Sequence, residues 1–283
     1  MNLMDPILIV TADPKSAQTI INMASRLGIR YKTINLIETA REWLSINNVS
    51  ILFIDSRYGK SEPLALASFL WTRQPTATIG VFNMYDEVAQ KWQLLLAGIQ
   101  VLDKTAFPSD VENLLRVLPN SPEEKNNVST KKIMLVEDLD SPRMIISSYI
   151  ESFKLGTVTA VSSAKEALDI LKNKPNAFFG IVTDINMPDM NGIEFTEVIR
   201  RHPALRHLPI IVCTAYSSTD NLVGALAAGI TGFLIKPLKK ELIKSELEKA
   251  WRIYINGTSP RLCEAKDAKL LGEALAGLSG NLG

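Results

Sequence analysis

Four short pieces of the chain carry groups that could do chemistry together: Glu137-Asp138, Asp184, Thr214-Ala215 and Lys236. Most of them follow or end a short apolar run of the kind that forms a buried parallel strand. If those strands share one sheet, three carboxylates and a lysine converge at its carboxyl edge. Clustered acids repel one another unless a cation sits among them, and hard oxygen ligands with room for water suit Mg²⁺ rather than zinc. With that cation present, one carboxylate can attack phosphorus while the metal and an ammonium neutralise the charge on the equatorial oxygens. Asp184 is the candidate nucleophile. The stretch D-I-N-M-P-D-M-N-G that it opens supplies turn chemistry, with Pro188 fixing the backbone and Gly192 permitting a tight start to the next helix. This loop is expected to keep Asp184 exposed. The Thr214 hydroxyl and the Ala215 backbone N–H are placed to hold phosphate oxygens once the group has transferred. Phe233 stands three residues before Lys236 on the same expected strand.

The elements that must position these groups are legible as an alternation. Apolar runs at Ile7 to Val10, Ile51 to Ile54, Ile133 to Val136, Ile181 to Val182 and Ile210 to Val212 read as buried strands, with amphipathic helices between them. Ser163-Ala-Lys-Glu166 has capping-box spacing, Ser141-Pro142 marks a helix start, and Ser217-Ser-Thr-Asp220 can cap a further helix. Alternating βα units imply right-handed crossovers and a doubly wound α/β sheet with its site beyond the strands' carboxyl ends. The polar stretch from Asn120 lacks periodicity and divides the chain as a linker. On either side the pattern repeats: LIVTADP from Leu8 resembles MLVEDLD from Met134, and LLLAGIQVLDK ending at Lys104 resembles ALAAGITGFLIK ending at Lys236. The expected organisation is a domain over 1–119, a linker over 120–131, a second domain over 132–256, and a flexible or partly helical tail over 257–283.

Glu137-Asp138, the D-I-N-M-P-D-M-N-G run, Thr214-Ala215 and Lys236-Pro237, in this order at strand ends, resemble the receiver domain of bacterial two-component response regulators. The resemblance implies two tandem flavodoxin-like (βα)5 domains, each with a five-stranded parallel sheet of order 2-1-3-4-5. It also implies that Glu137 and Asp138 hold Mg²⁺ with Asp184 and the carbonyl of Asn186, and that Lys236 pairs with a phosphoryl group on Asp184. Thr214 and Phe233 would then be the switch pair, the ring following the hydroxyl as the surface of the last helices and strand is remodelled. The implied donor is a histidine kinase or histidine phosphotransfer protein, and a homodimer through a receiver face is open.

The first half reads as a degraded copy. Setting Val10 on Val136 puts Thr11 and Ala12 where Glu137 and Asp138 stand, so the metal acids are missing. Asp55 matches Asp184 and Lys104 matches Lys236, but Asn83 stands at the Thr214 position and Thr105 at that of Pro237. The loop after Asp55, SRYGKSEP, departs from the second copy's pattern. An Asp and a Lys without a metal can form an ion pair, so this half is expected to be a pseudo-receiver that binds without phosphoryl chemistry.

Composition narrows the rest. The 283 residues suit two domains, and 31 Lys plus Arg against 30 Asp plus Glu, a formal charge of +1, give no global reason to expect nucleic acid or an acidic membrane. Two cysteines without C-x-x-C spacing fit a reducing compartment, Cys213 as a small strand hydrophobe and Cys263 as a tail thiol. His202 and His207 flank a proline near a helix end as loop residues. No run of apolar residues could span a bilayer, so a cytoplasmic protein with no DNA-binding domain is expected. It would not be a dedicated enzyme, although its phosphotransfer and dephosphorylation would be self-catalysed. Two rivals remain: a phosphorylation-independent scaffold, against which the intact metal pair argues, and an aspartyl-phosphate phosphatase. For the latter the chain offers Asp189 but no insertion to cap a pocket.

Overall fold

The computed structural model describes residues 5–83, 88–102, 107–116, 131–215 and 219–255. The chain divides into two units, Met1–Lys125 and Asn126–Gly283. In the first, β1 (Ile7–Val10), β2 (Tyr31–Ile34), β3 (Ile51–Asp55), β4 (Thr78–Phe82) and β5 (Gln100–Val101) form a wholly parallel sheet of order β2-β1-β3-β4-β5. The helices are α1 (Gln18–Arg26), α2 (Ile37–Ile46), α3 (Glu62–Arg73), α4 (Val88–Leu96) and α5 (Phe107–Arg116). Leu8, Val10, Leu52, Ile54, Ile79 and Val81 face one core, while Ile7, Ile9, Ile51, Phe53 and Phe82 face the other. Burial on both faces is why these strands read as unbroken apolar runs.

The second unit repeats the plan with β6 (Lys132–Val136), β7 (Thr157–Val161), β8 (Phe178–Asp184), β9 (Ile210–Ala215) and β10 (Gly232–Lys236). Its order is β7-β6-β8-β9-β10, again 2-1-3-4-5 within the unit. The helices are α6 (Asp140–Ser152), α7 (Ala164–Asn173), α8 (Gly192–Arg201), α9 (Thr219–Ala228) and α10 (Lys240–Ile255). α10 lays Ile243, Leu247, Ala250 and Trp251 on the core beneath β6, β8 and β9. Crossed parallel strands put every β→α turn at one edge of each sheet, which is where the chemical groups lie.

Local signals fare unevenly. Ser163 caps α7 by accepting from the Glu166 N–H at 3.3 Å. The helix expected to start at Ser141-Pro142 begins earlier, at Asp140 after Leu139. Arg143 closes this start: its backbone N–H makes the first helical bond to the Leu139 carbonyl, and its guanidinium donates to the carbonyls of Glu137 and Asp138 at 2.7 and 3.1 Å. Pro142 then sits in the first turn, where its missing N–H costs nothing. Ser217 and Ser218, the linker over 120–130 and the tail after 255 lie outside the described residues. No described helix is long and apolar enough to cross a membrane.

Candidate functional site

The parallel register gathers the second unit's groups at one sheet edge. Val136 pairs with Thr183, Asp184 with Cys213, and Lys236 with Ala215, so β6, β8, β9 and β10 end side by side. Glu137 and Asp138 leave β6, Asp184 ends β8, and one ligand oxygen from each of these acids lies within 4.8 Å of the others. Lys236 Nζ is 3.1 Å from Glu137 Oε2 and 3.1 Å from Asp184 Oδ2. Three carboxylates thus face one ammonium, a formal excess of two negative charges. Glu137 Oε1 and Asp138 Oδ1 are buried and, among the described residues, meet no hydrogen-bond partner. Buried carboxylate oxygens of this kind are costly unless a cation meets them, and an all-oxygen donor set suits a hard divalent ion. Burial, joined by the charge of Asp184, pushes the Glu137 carboxyl up against the pull of the Lys236 hydrogen bond. Burial alone would lower Lys236, but its bonds and charge contacts with Glu137 and Asp184 hold it above the usual lysine range.

Asp184 is not exposed on a loop as the turn residues suggested. It is the last residue of β8 and is 6 % exposed, because the strand runs on to Asp184 before the turn starts. The Ile185 N–H donates to Asp184 Oδ1 at 2.9 Å, orienting the carboxylate. Gly192 opens α8 against this turn: a Cβ there would fall 2.2 Å from the Asp184 carbonyl oxygen. Asn191 and Glu194 complete a capping box that fixes the start of α8. Asn186 lies exposed on the rim of the loop, two residues after Asp184. Thr214 is buried near the end of β9, and the backbone of Ala215 lies beside Lys236. Phe233 is half-buried on β10 opposite Val212. Cys213 is buried, which pushes its thiol up to about 12 and leaves it inert.

The equivalent edge of the first unit is built differently. Val10 pairs with Ile54 and Asp55 with Phe82, so Thr11, Ala12 and Asn83 fall at the positions of Glu137, Asp138 and Thr214. Lys104 lies outside the described residues, and the described cation on Asp55 is Arg57, from the loop in which the sequence showed only a departure. Arg57 Nε donates to both Asp55 oxygens, at 3.0 and 3.1 Å, and Nη2 to Oδ2 at 2.6 Å. Burial alone would raise the Asp55 carboxyl, but the bonds from Arg57 and Thr11 and the charge of Arg57 hold it below the usual carboxylate range. The signal that could have revealed this is an arginine two residues after a strand-ending acid. Arg143, which ties down the carbonyls of the metal-acid loop, had the weaker signal of following Pro142.

The model of the response regulator receiver domain family matches residues 133–248. The chemotaxis protein CheY of Pseudomonas aeruginosa is 31 % identical over 126 residues, a match spanning 44 % of this chain and 99 % of that protein. Chemotaxis protein CheY-3 of Vibrio cholerae is 31 % identical over 118 residues, spanning 42 % of this chain and 89 % of its own length. The solved structure of chemotaxis response regulator CheY4 of Vibrio cholerae is 29 % identical, covers 43 % of this chain and 99 % of its own, and gives a TM-score of 0.39. Through its second unit, this chain belongs to the response regulator receiver domains of two-component signalling.

Proposed function

We propose that the second unit accepts a phosphoryl group on Asp184 from a phosphohistidine donor and signals by phosphorylation-dependent contact with a protein partner. One observation carries this reading: among the described residues, three carboxylates share a pocket with a single ammonium, and two of their buried oxygens have no hydrogen-bond partner. Glu137, Asp138 and Asp184, with the carbonyl of Asn186, would hold Mg²⁺, whose charge would offset that of an incoming phosphoryl group. The chain's own groups do the rest. The Ile185 N–H fixes the Asp184 carboxylate, and an Asp184 oxygen forms the new P–O bond as the P–N bond to the donor imidazole breaks. The departing nitrogen keeps the bonding pair and takes a proton from water. Lys236, Thr214 and the Ala215 N–H would receive the transferred oxygens. A water molecule later attacks phosphorus, releasing inorganic phosphate and restoring the carboxylate.

The unit 1 pocket supports the scaffold reading for that half, because Asp55 is already paired and the two metal acids are absent. The expected domain limits, 1–119 and 132–256, and a cytoplasmic setting are part of the same proposal. Incubating the full chain with acetyl phosphate and Mg²⁺, followed by intact-mass measurement, tests it. One phosphate per chain is expected, lost in Asp184→Asn and lost again in excess chelator. Equal labelling of Asp184→Asn would overturn the assignment.

A further inference from the structure

We propose that Arg57 is a built-in counter-cation that takes, in the first unit, the electrostatic role of a divalent ion. The Asp55 pocket is thereby closed to metal, and this unit keeps one state at any metal concentration. The inference rests on reading the first unit as a pocket in the same register as the second. Asp55 pairs with Phe82 as Asp184 pairs with Cys213, so Arg57 occupies the position of Asn186, whose carbonyl the proposed function gives to the metal.

The donors around Asp55 leave no lone pair for a ligand. Oδ1 accepts from the Arg57 backbone N–H at 3.1 Å and from Arg57 Nε at 3.0 Å. Oδ2 accepts from Thr11 Oγ1 at 2.8 Å, Ser16 Oγ at 3.3 Å, Arg57 Nη2 at 2.6 Å and Asn83 Nδ2 at 3.1 Å. A carboxylate offers about four acceptor sites, so these contacts saturate it. The charge count agrees. Among the described residues, Arg57 cancels Asp55 and leaves one negative charge on the rim at Asp13, whereas the second pocket is left with two uncompensated negative charges. Arg57 is also anchored away from Asp55, by Nη2 on Ser16 Oγ at 2.9 Å and by Nη1 near the rim carboxylate of Asp13 at 3.5 Å. A fork held at both ends cannot swing aside without breaking both anchors.

Counting bound Mn²⁺ per full-length chain by electron paramagnetic resonance separates Arg57 from the missing acids. Wild type should bind one ion, at the second unit. Thr11→Glu with Ala12→Asp restores both acids but keeps Arg57, and should still bind one. Adding Arg57→Asn should admit a second ion at least tenfold more tightly than the double variant does. A second ion bound equally well with and without Arg57 overturns the inference. Carbon-13 titration of the Asp55 carboxyl gives a second measure, in which Arg57→Gln should move its midpoint upward and an unmoved midpoint counts against Arg57. A phosphate on Asp55 in Asp184→Asn protein would instead overturn the silent-unit reading, leaving the Arg57 comparison to be judged alone.

Discussion

Replacing Gly192 by Ala tests how tightly the turn after Asp184 is packed. The added Cβ would lie 2.2 Å from the Asp184 carbonyl oxygen and 3.0 Å from both the Asp184 carbonyl carbon and Ile185 Cα. A carbon and an oxygen do not approach within about 3 Å, so the overlap is close to 1 Å, and every obstructing atom belongs to the backbone. The strain cannot be shed by rotating a side chain. Either the end of β8 or the start of α8 must move, although the latter is held by the Gly192 N–H to the Ile185 carbonyl at 2.9 Å and by Asn191 Oδ1 accepting from the Glu194 N–H at 2.9 Å. Overpacking of this kind costs about 1–3 kcal/mol, and the better helix propensity of Ala returns at most about 1 kcal/mol, leaving roughly 1–2 kcal/mol lost. For a unit of this size that lowers Tm by about 4–8 °C. Calorimetry of the full chain would read it on the transition that Mg²⁺ raises. Because the displaced atom belongs to Asp184 itself, acetyl-phosphate labelling should slow about tenfold. An unshifted transition together with an unchanged labelling rate would refute the packing argument.

Lys236→Met removes the only cation among the described residues that is paired with Glu137 and Asp184, so labelling should fall by roughly 10²–10³, the range for loss of one preorganised donor, and an equal rate would remove Lys236 from the site. Thr214→Ala should label within about threefold of wild type yet lose beryllofluoride-dependent capture of partners, and normal capture would end the switch role of Thr214 and Phe233. Asp55 has a lowered folded carboxyl, so its contribution to stability is present above its ordinary value of 3.8 and is lost as pH falls through the folded value. In urea titrations the gap between wild type and Arg57→Gln should therefore be widest near pH 7 and begin to narrow as the pH falls below 3.8, whereas a gap independent of pH would show that Arg57 acts through packing alone.

How much could be read from residues alone depended on burial. β1, β3, β6 and β9 are covered on both faces and announce themselves as apolar runs. The edge strands β2 and β7 turn Tyr31, Lys32, Thr33 and Thr157 to solvent and show no such pattern. The site acids were legible because strand ends in a parallel sheet must converge, so order along the chain already implied proximity. The depth of Asp184 was not, since Pro188 and Gly192 describe the turn but do not say at which residue the strand stops. Arg57 was hidden for another reason. Its contact with Asp55 runs through a 3₁₀ turn over Ser56–Tyr58 and depends on a side-chain conformation, which spacing does not encode.

On the proposed reading, in which the first unit does no phosphoryl chemistry, that contact also explains why it retains Asp55. A buried carboxylate and its guanidinium stand or fall together, because removing one leaves the other desolvated without a partner. Asp55→Asn and Arg57→Gln should therefore each destabilise the first unit, by about 2 kcal/mol, below the 3–5 kcal/mol of fully buried pairs. The discount follows from exposure: the Arg57 side chain is 38 % exposed and partly solvated, against 2 % for Asp55. The double variant keeps neutral hydrogen-bonding groups at both positions and strands no charge, so it should cost clearly less than the two single losses combined. A double-mutant cycle in urea should give a coupling of about 1–2 kcal/mol. Additive losses would mean that Asp55 and Arg57 contribute independently, and the retained acid would need another explanation.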